Sequence, residues 1–231
     1  MTMTFPEFNA GLSLPADANV QAARALPRRP GVYRNLFKRV FDVAVIVMAA
    51  PVVVPLVAAL AVAVARDGGR PFYSQMRVGK GGKRFRMWKL RSMVCDADER
   101  MEEYLAAHPE ARLEWDLTQK LKDDPRITRI GKVLRQSSLD ELPQLWNVLM
   151  GEMSLVGPRP IMLSQQMIYP GVAYYLLRPG CTGFWQTAGR NRTTFEARAD
   201  YDTAYEVDLS LATDLKILVS TVGVMAKGTG C

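Results

Sequence analysis

Two adjacent carboxylates, Asp140 and Glu141, lie in the part of the chain that is richest in residues able to do chemistry. This part runs from Arg135 to Gln144 and reads RQSSLDELPQ. Paired carboxylates beside an arginine can hold Mg²⁺, supply a nucleophile and bind phosphate oxygens. The pattern therefore indicates a site for a phosphorylated substrate.

The same residues also fit a structural role. Ser138 followed three residues later by Glu141 is the pattern of a capping box, and acidic residues favour the first turn of a helix. In such a helix Pro143 would occupy an interior position, where its missing N–H is unfavourable. A helix that begins slightly later places Pro143 in the tolerant first turn and leaves the carboxylates at a helix N-terminus, which attracts phosphate. The sequence alone is therefore compatible both with a capping box and with a phosphate site in this stretch.

Two further stretches carry positive charge. The loop GPRP (157–160) holds Arg159 between two prolines, which suits bidentate phosphate recognition, although a solvated arginine in a turn is the commoner case. The stretch KRFRMWKLR (83–91) interleaves basic with aromatic residues. It fits either a nucleic-acid patch or a strip on a membrane surface.

Composition narrows the chemistry. The 231-residue chain has one histidine, His108, and three cysteines without C-x-x-C spacing. These counts exclude a multi-histidine metal site and give no sign of a disulfide framework, so we expect chemistry that uses carboxylates, lysine and arginine. Thirty Lys and Arg against 23 Asp and Glu give a net charge of +7. Such an excess favours a negatively charged partner: anionic lipid, a phosphorylated substrate or nucleic acid.

An apolar segment from Val43 to Ala65 contains 23 residues without a charge. A straight helix of this length would cover roughly 34 Å, which is enough to span a bilayer core. Both flanks are basic, with six Lys and Arg residues between Arg24 and Arg39 and nine between Arg66 and Arg91. Short basic flanks stay on the cytoplasmic side, so a spanning helix would have to carry one of them across.

Pro51 and Pro55 lie near the middle of this segment, where each removes a backbone N–H and favours a kink or break. Each half would reach only roughly 17 Å, about half the hydrocarbon thickness. We therefore favour a re-entrant helix that turns at the prolines and returns both basic flanks to anionic lipid, over a single spanning helix.

The rest of the pattern predicts a mainly α fold with a small β-hairpin. The chain divides into a mobile leader (1–32), the membrane segment with its basic flank (33–67) and a catalytic domain with membrane-associated helices (68–231). Within the last part the predicted elements are a hairpin in 69–93, one or two surface helices in 97–122 interrupted at His108-Pro109, a helix over about 139–150 and a helix over 210–227.

Taken together, these blocks resemble the bacterial sugar transferase family, the monotopic polyprenyl-phosphate phosphoglycosyl transferases. The resemblance covers about 37–227. The residues of its motifs are most similar to those of the galactose-phosphate transferases that start the synthesis of succinoglycan-type exopolysaccharide. The blocks that carry it, in order, are KRVFD (38–42), GRPFYSQMRVG (69–79), KLRSM (89–93), DPRIT (124–128), SLDELPQ (138–144), GPRP (157–160), RPGCTGFWQ (178–186) and GRN (189–191).

The resemblance implies a reaction at the inner membrane, with the catalytic domain on the cytoplasmic face. Sugar 1-phosphate moves from a UDP-sugar to undecaprenyl phosphate, UMP is released, and an aspartyl-phosphosugar is the intermediate. The family's catalytic and Mg²⁺-binding dyad falls on Asp140 and Glu141. The residues implied to bind phosphate or substrate are Arg135, Arg159, Lys89, Arg91 and Arg190.

The resemblance also implies a re-entrant membrane helix with its hinge at Pro51 and Pro55. The family commonly breaks this helix at Ser-Pro, whereas Val54 precedes Pro55 and Ala50 precedes Pro51 here. No serine hydroxyl is therefore available to bond the freed backbone.

Two rivals to a membrane enzyme stay open. A non-catalytic, membrane-anchored assembly partner predicts no UMP release from any UDP-sugar. A nucleic-acid binder rests on charge alone and leaves the apolar segment unexplained, so nucleic acid is not expected as a partner. Galactose, glucose and N-acetylhexosamine donors are not distinguished by these residues, and a homo-oligomer is left open.

Overall fold

The protein is described by a computed structural model that covers residues 15–27, 31–118, 121–189 and 193–226. Helices dominate this part of the chain, and two small sheets join them, so the predicted mainly α class with a hairpin is confirmed. The helices are α1 (Pro15–Ala25), α2 (Lys38–Ala65), α3 (Ala97–Ala107), α4 (Pro109–Thr118), α5 (Arg129–Ser137), α6 (Gln144–Leu149), α7 (Ala173–Leu176), α8 (Arg198–Asp208) and α9 (Leu211–Ala226). The strands are β1 (Phe72–Val78), β2 (Arg84–Leu90), β3 (Ser154–Val156) and β4 (Gly180–Thr182).

The predicted hairpin is formed by β1 and β2, which pair antiparallel from Phe72 opposite Leu90 to Val78 opposite Arg84. Its turn needs glycine, because Gly81 has a φ of 65°. Alternate side chains of β2 point to opposite faces, so Phe85 and Met87 are buried while Arg84 and Arg86 are exposed. The basic-aromatic strip at 83–91 is therefore an amphipathic strand.

A second sheet, which the sequence does not predict, joins β3 and β4. The two strands run parallel, with Ser154 opposite Gly180 and Val156 opposite Thr182. Val156 is fully buried beside Met153 and Val148, in the largest apolar cluster of the described residues. Three residues per strand are too few to show an alternating pattern, which explains why sequence periodicity misses them.

Helix α2 contains the apolar segment and continues through both Pro51 and Pro55 instead of ending at either. Each proline removes a single intrahelical hydrogen bond, and the bonds around it keep the helical path. With the preceding π-helical turn, Tyr33–Phe37, it forms the one helix in the described chain that is long and apolar enough to cross a membrane. Its middle is exposed, with Met48 at 74% and Val52 at 72%.

The first turns of α2 are held to the rest of the protein by polar contacts. Arg39 donates to the carbonyls of Val148 and Leu149 at the end of α6, the latter at 2.6 Å. The Lys38 Nζ lies 2.6 Å from Asp214 Oδ2 on α9, and Asp42 accepts a hydrogen bond from the backbone N–H of Leu155. The same Asp214 is fully buried and also accepts from the Tyr33 and Tyr205 hydroxyls.

The last turns of α2 contact the same body of strands and helices. Ala61 and Val64 are buried against Leu90 of β2 and Leu134 of α5. Just after the helix, Asp67 forms an ion pair with Arg91. Both ends of α2 are therefore anchored, while its apolar middle lacks such cover.

The other predicted helices are largely confirmed. The surface pair in 97–122 is α3 and α4, separated at His108, and the helix over 210–227 is α9. Helix α1 lies within the segment assigned to a mobile leader, and its Val20 and Ala23 are buried against the aromatic cluster around Tyr174. The division of the chain into three parts stays a prediction.

Candidate active site

A tight turn presents the two carboxylates. Helix α5 ends at Ser137, and Ser138 then adopts a left-handed conformation with a φ of 56°. A 3₁₀ turn, Leu139–Glu141, follows, and α6 begins directly after Pro143. The Ser138 side chain makes no capping hydrogen bond, so the capping-box interpretation is wrong. The predicted helix over 139–150 is correspondingly shortened to 144–149, because Pro143 fits only at its start.

Lys89 of β2 reaches both carboxylates of the turn. Its Nζ lies 2.7 Å from Glu141 Oε1 and 3.6 Å from Asp140 Oδ2. Asp140 is only 7% exposed, and this burial raises the pKa of its carboxyl, while the Lys89 ammonium acts in the opposite direction. The structure therefore brings the predicted residue Lys89 together with the predicted dyad.

Arg135 lies on the last turn of α5, directly before the carboxylate turn. Its Nε donates a hydrogen bond to Ser92 Oγ at 2.8 Å, which fixes the guanidinium between α5 and the end of β2. Its charge adds to that of Lys89 in lowering the pKa of Asp140, against the larger effect of burial. Arg135 is thus close enough to influence the dyad electrostatically.

The dyad suits a hard divalent cation. Among the described residues no cluster of three or more His, Cys, Asp and Glu side chains has the arrangement of a complete metal cage. Asp140 and Glu141 provide two adjacent carboxylates, and Mg²⁺ characteristically binds through one or two carboxylates while phosphate oxygens and water complete its coordination. The residues present therefore fit Mg²⁺ that is bound together with a phosphorylated substrate.

Arg159 is positioned by a rigid loop that lies against β4. Gly157 donates its N–H to the carbonyl of Thr182 at 2.8 Å, and a side chain at Gly157 would collide with the backbone of Arg178. Arg159 follows this contact, and its guanidinium carbon lies 5.9 Å from the ring centroid of Trp185. The predicted loop at 157–160 is confirmed.

One small cleft connects the dyad with Arg159. Its walls come from β1, β2, the carboxylate turn, α6, the loop at 157–160 and β4. The residues that line it are Arg77, Met87, Lys89, Glu141, Gln144, Arg159, Pro160, Gly180 and Cys181. A ligand in this cleft would contact a carboxylate at one end and guanidinium groups at the other.

Two predicted binding residues of the described chain, Arg91 and Arg135, do not line this cleft. Arg91 uses its guanidinium to hold the end of α2, with donors to Asp67 at 2.9 Å and to the carbonyls of Val64 and Met93. Arg91 is the residue after the end of β2, so the alternation of side chains along the strand no longer places it on the same face as Lys89. Arg190 lies outside the described residues.

Sequence reasoning missed Arg77 and Arg198 as candidates. Arg77 belongs to one of the blocks that carry the family resemblance, so that block could have indicated it. Arg198 comes from α8, in a stretch of ordinary helical composition, and its guanidinium stacks on Trp185 at 4.0 Å. It also lies over the ring of Phe195, three residues earlier, but that local contact does not reveal its proximity to Arg159.

Within the described residues, a carboxylate turn lies beside a lysine and several arginines, on a helical body that anchors one long apolar helix. The model of the family described as bacterial sugar transferase matches residues 33–228. The chain therefore belongs to the bacterial sugar transferase family, as the resemblance predicted.

Relatives from several bacteria agree with this assignment. A UDP-galactose-lipid carrier transferase of Erwinia amylovora is 47% identical over 85% of this chain and 42% of its own length. An undecaprenyl-phosphate galactose phosphotransferase of Salmonella typhimurium is 41% identical over 97% of this chain and 48% of its own length. The exopolysaccharide production protein ExoY of Sinorhizobium fredii is 38% identical over 93% of this chain and 98% of its own length. The chain thus spans about half the length of the first two relatives and nearly all of the third.

Proposed function

We propose that the protein transfers a sugar 1-phosphate, with galactose 1-phosphate as the first candidate, from a UDP-sugar to undecaprenyl phosphate. UMP is the second product, and the reaction is the first membrane step of exopolysaccharide synthesis. The observation that carries the proposal is the buried Asp140 beside Glu141 and Lys89, the last two of which line a cleft that continues to Arg159. Family membership and the names of the relatives support the reaction class.

In the first step a carboxylate oxygen of Asp140 attacks the β-phosphorus of the UDP-sugar. A bond forms between this oxygen and phosphorus, the bond from phosphorus to the bridging oxygen breaks, and UMP leaves. In the second step a phosphate oxygen of undecaprenyl phosphate attacks the same phosphorus and releases the Asp140 carboxylate. The aspartyl-phosphosugar formed between the steps accounts for the need for a nucleophile at a protected position.

Neighbouring residues keep Asp140 reactive. Burial favours the protonated carboxyl, which is a poor nucleophile, and the Lys89 ammonium at 3.6 Å favours the ionised form. Arg135 and Arg159 contribute positive charge where the transferred phosphoryl group gains negative charge. Mg²⁺ held by Asp140 and Glu141 would neutralise charge on the diphosphate when bound.

The membrane part of the proposal places α2 in the cytoplasmic leaflet of the inner membrane as a re-entrant helix. Its support is the anchoring of both ends, through Arg39 and Asp42 at one end and through Val64 at the other, to one body of the protein. Pro51 and Pro55 lie between these anchors and free the carbonyls of two residues, which is the usual cause of a bend. Anionic lipid then faces both basic flanks.

Labelling of cysteines from outside intact cells tests this topology. One variant carries Ala10→Cys and lacks the native cysteines, and a second keeps only Cys231. We expect neither site to react with an impermeant reagent until the cells are permeabilised. Reaction at only one of the two sites in intact cells would contradict the re-entrant arrangement and favour a spanning helix.

A UMP-release assay tests the reaction. Purified protein with undecaprenyl phosphate and Mg²⁺ is given UDP-galactose, UDP-glucose, UDP-N-acetylglucosamine or UDP-N-acetylgalactosamine in turn. We expect release with UDP-galactose, and release with a different donor alone would change the sugar but not the reaction class. Absence of UMP with every donor from a folded sample would refute the proposal and favour a non-catalytic assembly partner.

A further inference from the structure

Three arginines from three separate elements lie near one another, and two of them, Arg159 and Arg198, lie over the ring of Trp185. Arg77 comes from β1, Arg159 from the loop at 157–160 and Arg198 from the start of α8. The guanidinium carbons of Arg198 and Arg159 lie 4.0 and 5.9 Å from the Trp185 ring centroid. Arg77 donates to the carbonyl of Pro160, the residue next to Arg159, at 3.2 Å. The cluster therefore concentrates three positive charges in a small volume.

Within the described ranges, no carboxylate forms an ion pair with any of these three arginines. The Nε atoms of Arg77 and Arg198 are buried, and neither has a hydrogen-bond partner in this part of the chain. Burial, together with the charge of Arg159, lowers the pKa of Arg77 to about 10 and also lowers the pKa of Arg198. These effects mark guanidinium groups that are held in an unfavourable electrostatic environment.

An anion would stabilise this arrangement, because like charges that are brought together repel one another. Arg77 and Arg198 are partly buried, and Arg159 is exposed. Arg77 also donates a hydrogen bond to Gln75 Oε1. Stacking on Trp185 satisfies only the face of the Arg198 guanidinium and leaves the N–H groups at its edge for an acceptor. A tetrahedral phosphate with several acceptor oxygens can bond more than one guanidinium at a time.

The position of the cluster limits which anion can reach it. Arg77 and Arg159 line the same cleft as Lys89 and Glu141, so the cluster opens towards the dyad. A molecule whose reacting phosphorus lies at Asp140 could place a second phosphate group among the arginines. Both substrates of the proposed reaction bring such a group close, since the donor is a diphosphate and the acceptor is a phosphomonoester.

We propose that Arg77, Arg159 and Arg198 form a second phosphate subsite, adjacent to the carboxylate dyad, in which Trp185 orients Arg198. The subsite binds a phosphate group of a substrate while the reacting phosphorus lies at Asp140. This inference rests on the proposed function for the identity of the ligand, and it adds Arg77 and Arg198 to the binding residues.

Direct binding measurements in an Asp140→Asn background test the subsite without turnover. Isothermal titration with inorganic phosphate, with UMP and with undecaprenyl phosphate in nanodiscs is compared for Arg77→Gln, Arg198→Gln and Arg198→Lys. We expect each Gln variant to bind inorganic phosphate about tenfold more weakly or worse, because hydrogen bonds to a charged group are lost. Arg198→Lys keeps the positive charge but loses the planar guanidinium group that can bind phosphate bidentately, so we expect an intermediate affinity for inorganic phosphate.

Arg112→Gln is the matched control, because it removes one arginine charge from α4, where the side chain is 59% exposed. Its affinity for all three ligands should equal that of the parent. Weaker UMP binding with unchanged undecaprenyl phosphate binding would assign the subsite to the nucleotide, and the reverse would assign it to the lipid. Either result supports the subsite.

Unchanged binding of all three ligands in folded Arg77→Gln and Arg198→Gln proteins would overturn the inference. If a Gln variant does not fold, Arg198→Lys with parent affinity for phosphate would overturn it equally. These outcomes differ from failure of the proposed function, which is measured separately as absence of UMP release by the wild-type protein with every donor.

Discussion

Replacement of Lys89 by methionine should move the acid limb of the pH-rate profile to higher pH. On the proposed function, Asp140 must be ionised to attack phosphorus, and burial already raises the pKa of its carboxyl. The Lys89 ammonium opposes this effect from 3.6 Å, and it also lies 2.7 Å from Glu141. Without the ammonium, the buried Asp140 carboxylate loses the positive charge that most strongly opposes this effect, and its pKa rises further.

The distance between the Lys89 ammonium and the Asp140 carboxylate sets the size of the interaction that is lost. Two unit charges 3.6 Å apart interact by about 5 kcal/mol at an effective dielectric constant near 20, and by about 1 kcal/mol at that of water. Lys89 is partly exposed, so the interaction lies between these limits. An attraction of this size opposes protonation of Asp140, so its loss should move the acid limb clearly to higher pH.

The assay is UMP release, measured as kcat/KM from about pH 4.5 to 9, because this quantity reports the ionisation of the free enzyme. Lys89→Arg is the matched control, since it keeps a positive charge near the dyad and should leave the limb within about half a pH unit of the wild type. A folded Lys89→Met protein whose acid limb does not move would refute the electrostatic role assigned to Lys89.

Three further predictions concern single side chains. Asp140→Asn should abolish UMP release, and Glu141→Gln should lower it by about 10²-fold or more. Radiolabelled donor should leave phosphosugar on the wild-type protein but not on Asp140→Asn, and full activity of that variant would exclude Asp140 as the nucleophile. Arg91→Met should lower the melting temperature, because the carbonyls of Val64, at the end of α2, and of Met93 lose their donor. The KM for the UDP-sugar at permissive temperature should stay unchanged, and a raised KM would restore a substrate role to Arg91. Burial raises the pKa of the Asp202 carboxyl from 3.8 to about 7. Between these pH values the folded protein keeps a proton on Asp202 that the unfolded chain releases. The free energy of unfolding of the wild-type protein should therefore fall as the pH rises from 4 to 7, by at most about 4 kcal/mol from this group. Asp202→Asn should remove this decline in urea or thermal unfolding, and an unchanged pH dependence would contradict it.

The sequence predicts those elements that have a long or strongly constrained local pattern. The hairpin follows from two runs of strand residues separated by glycines, and α9 follows from helical spacing of its apolar residues. The helix predicted over 139–150 is confirmed only for 144–149, because Pro143 tolerates only the beginning of a helix. Helix α1 escapes prediction because its buried face consists of little more than Val20 and Ala23.

The candidate site divides in the same way. Asp140, Glu141 and Arg135 lie within seven residues of one another, so their sequence pattern already indicates a common site. Lys89 joins them because β2 packs against the carboxylate turn. Only the family resemblance indicated Lys89 from the sequence. Arg198 reaches the cluster through stacking on Trp185, a contact between α8 and a preceding turn that no local pattern encodes.

The charges along the cleft explain how one site can combine an anionic nucleophile with an anionic substrate. At one end the carboxylates of Asp140 and Glu141 are balanced by Lys89 and influenced by Arg135, so the nucleophile adds little net negative charge. At the other end the arginine cluster has no carboxylate in ion-pair contact within the described residues. On the proposed function, the arginine end therefore attracts a diphosphate donor. The positive charges of Lys89 and Arg135 reduce the repulsion between this donor and the carboxylates of the dyad. On the proposed function, neutralising the arginine end should weaken substrate binding, whereas neutralising Lys89 should chiefly change the protonation of the nucleophile. The two ends can thus be separated experimentally as an effect on KM and an effect on the pH profile.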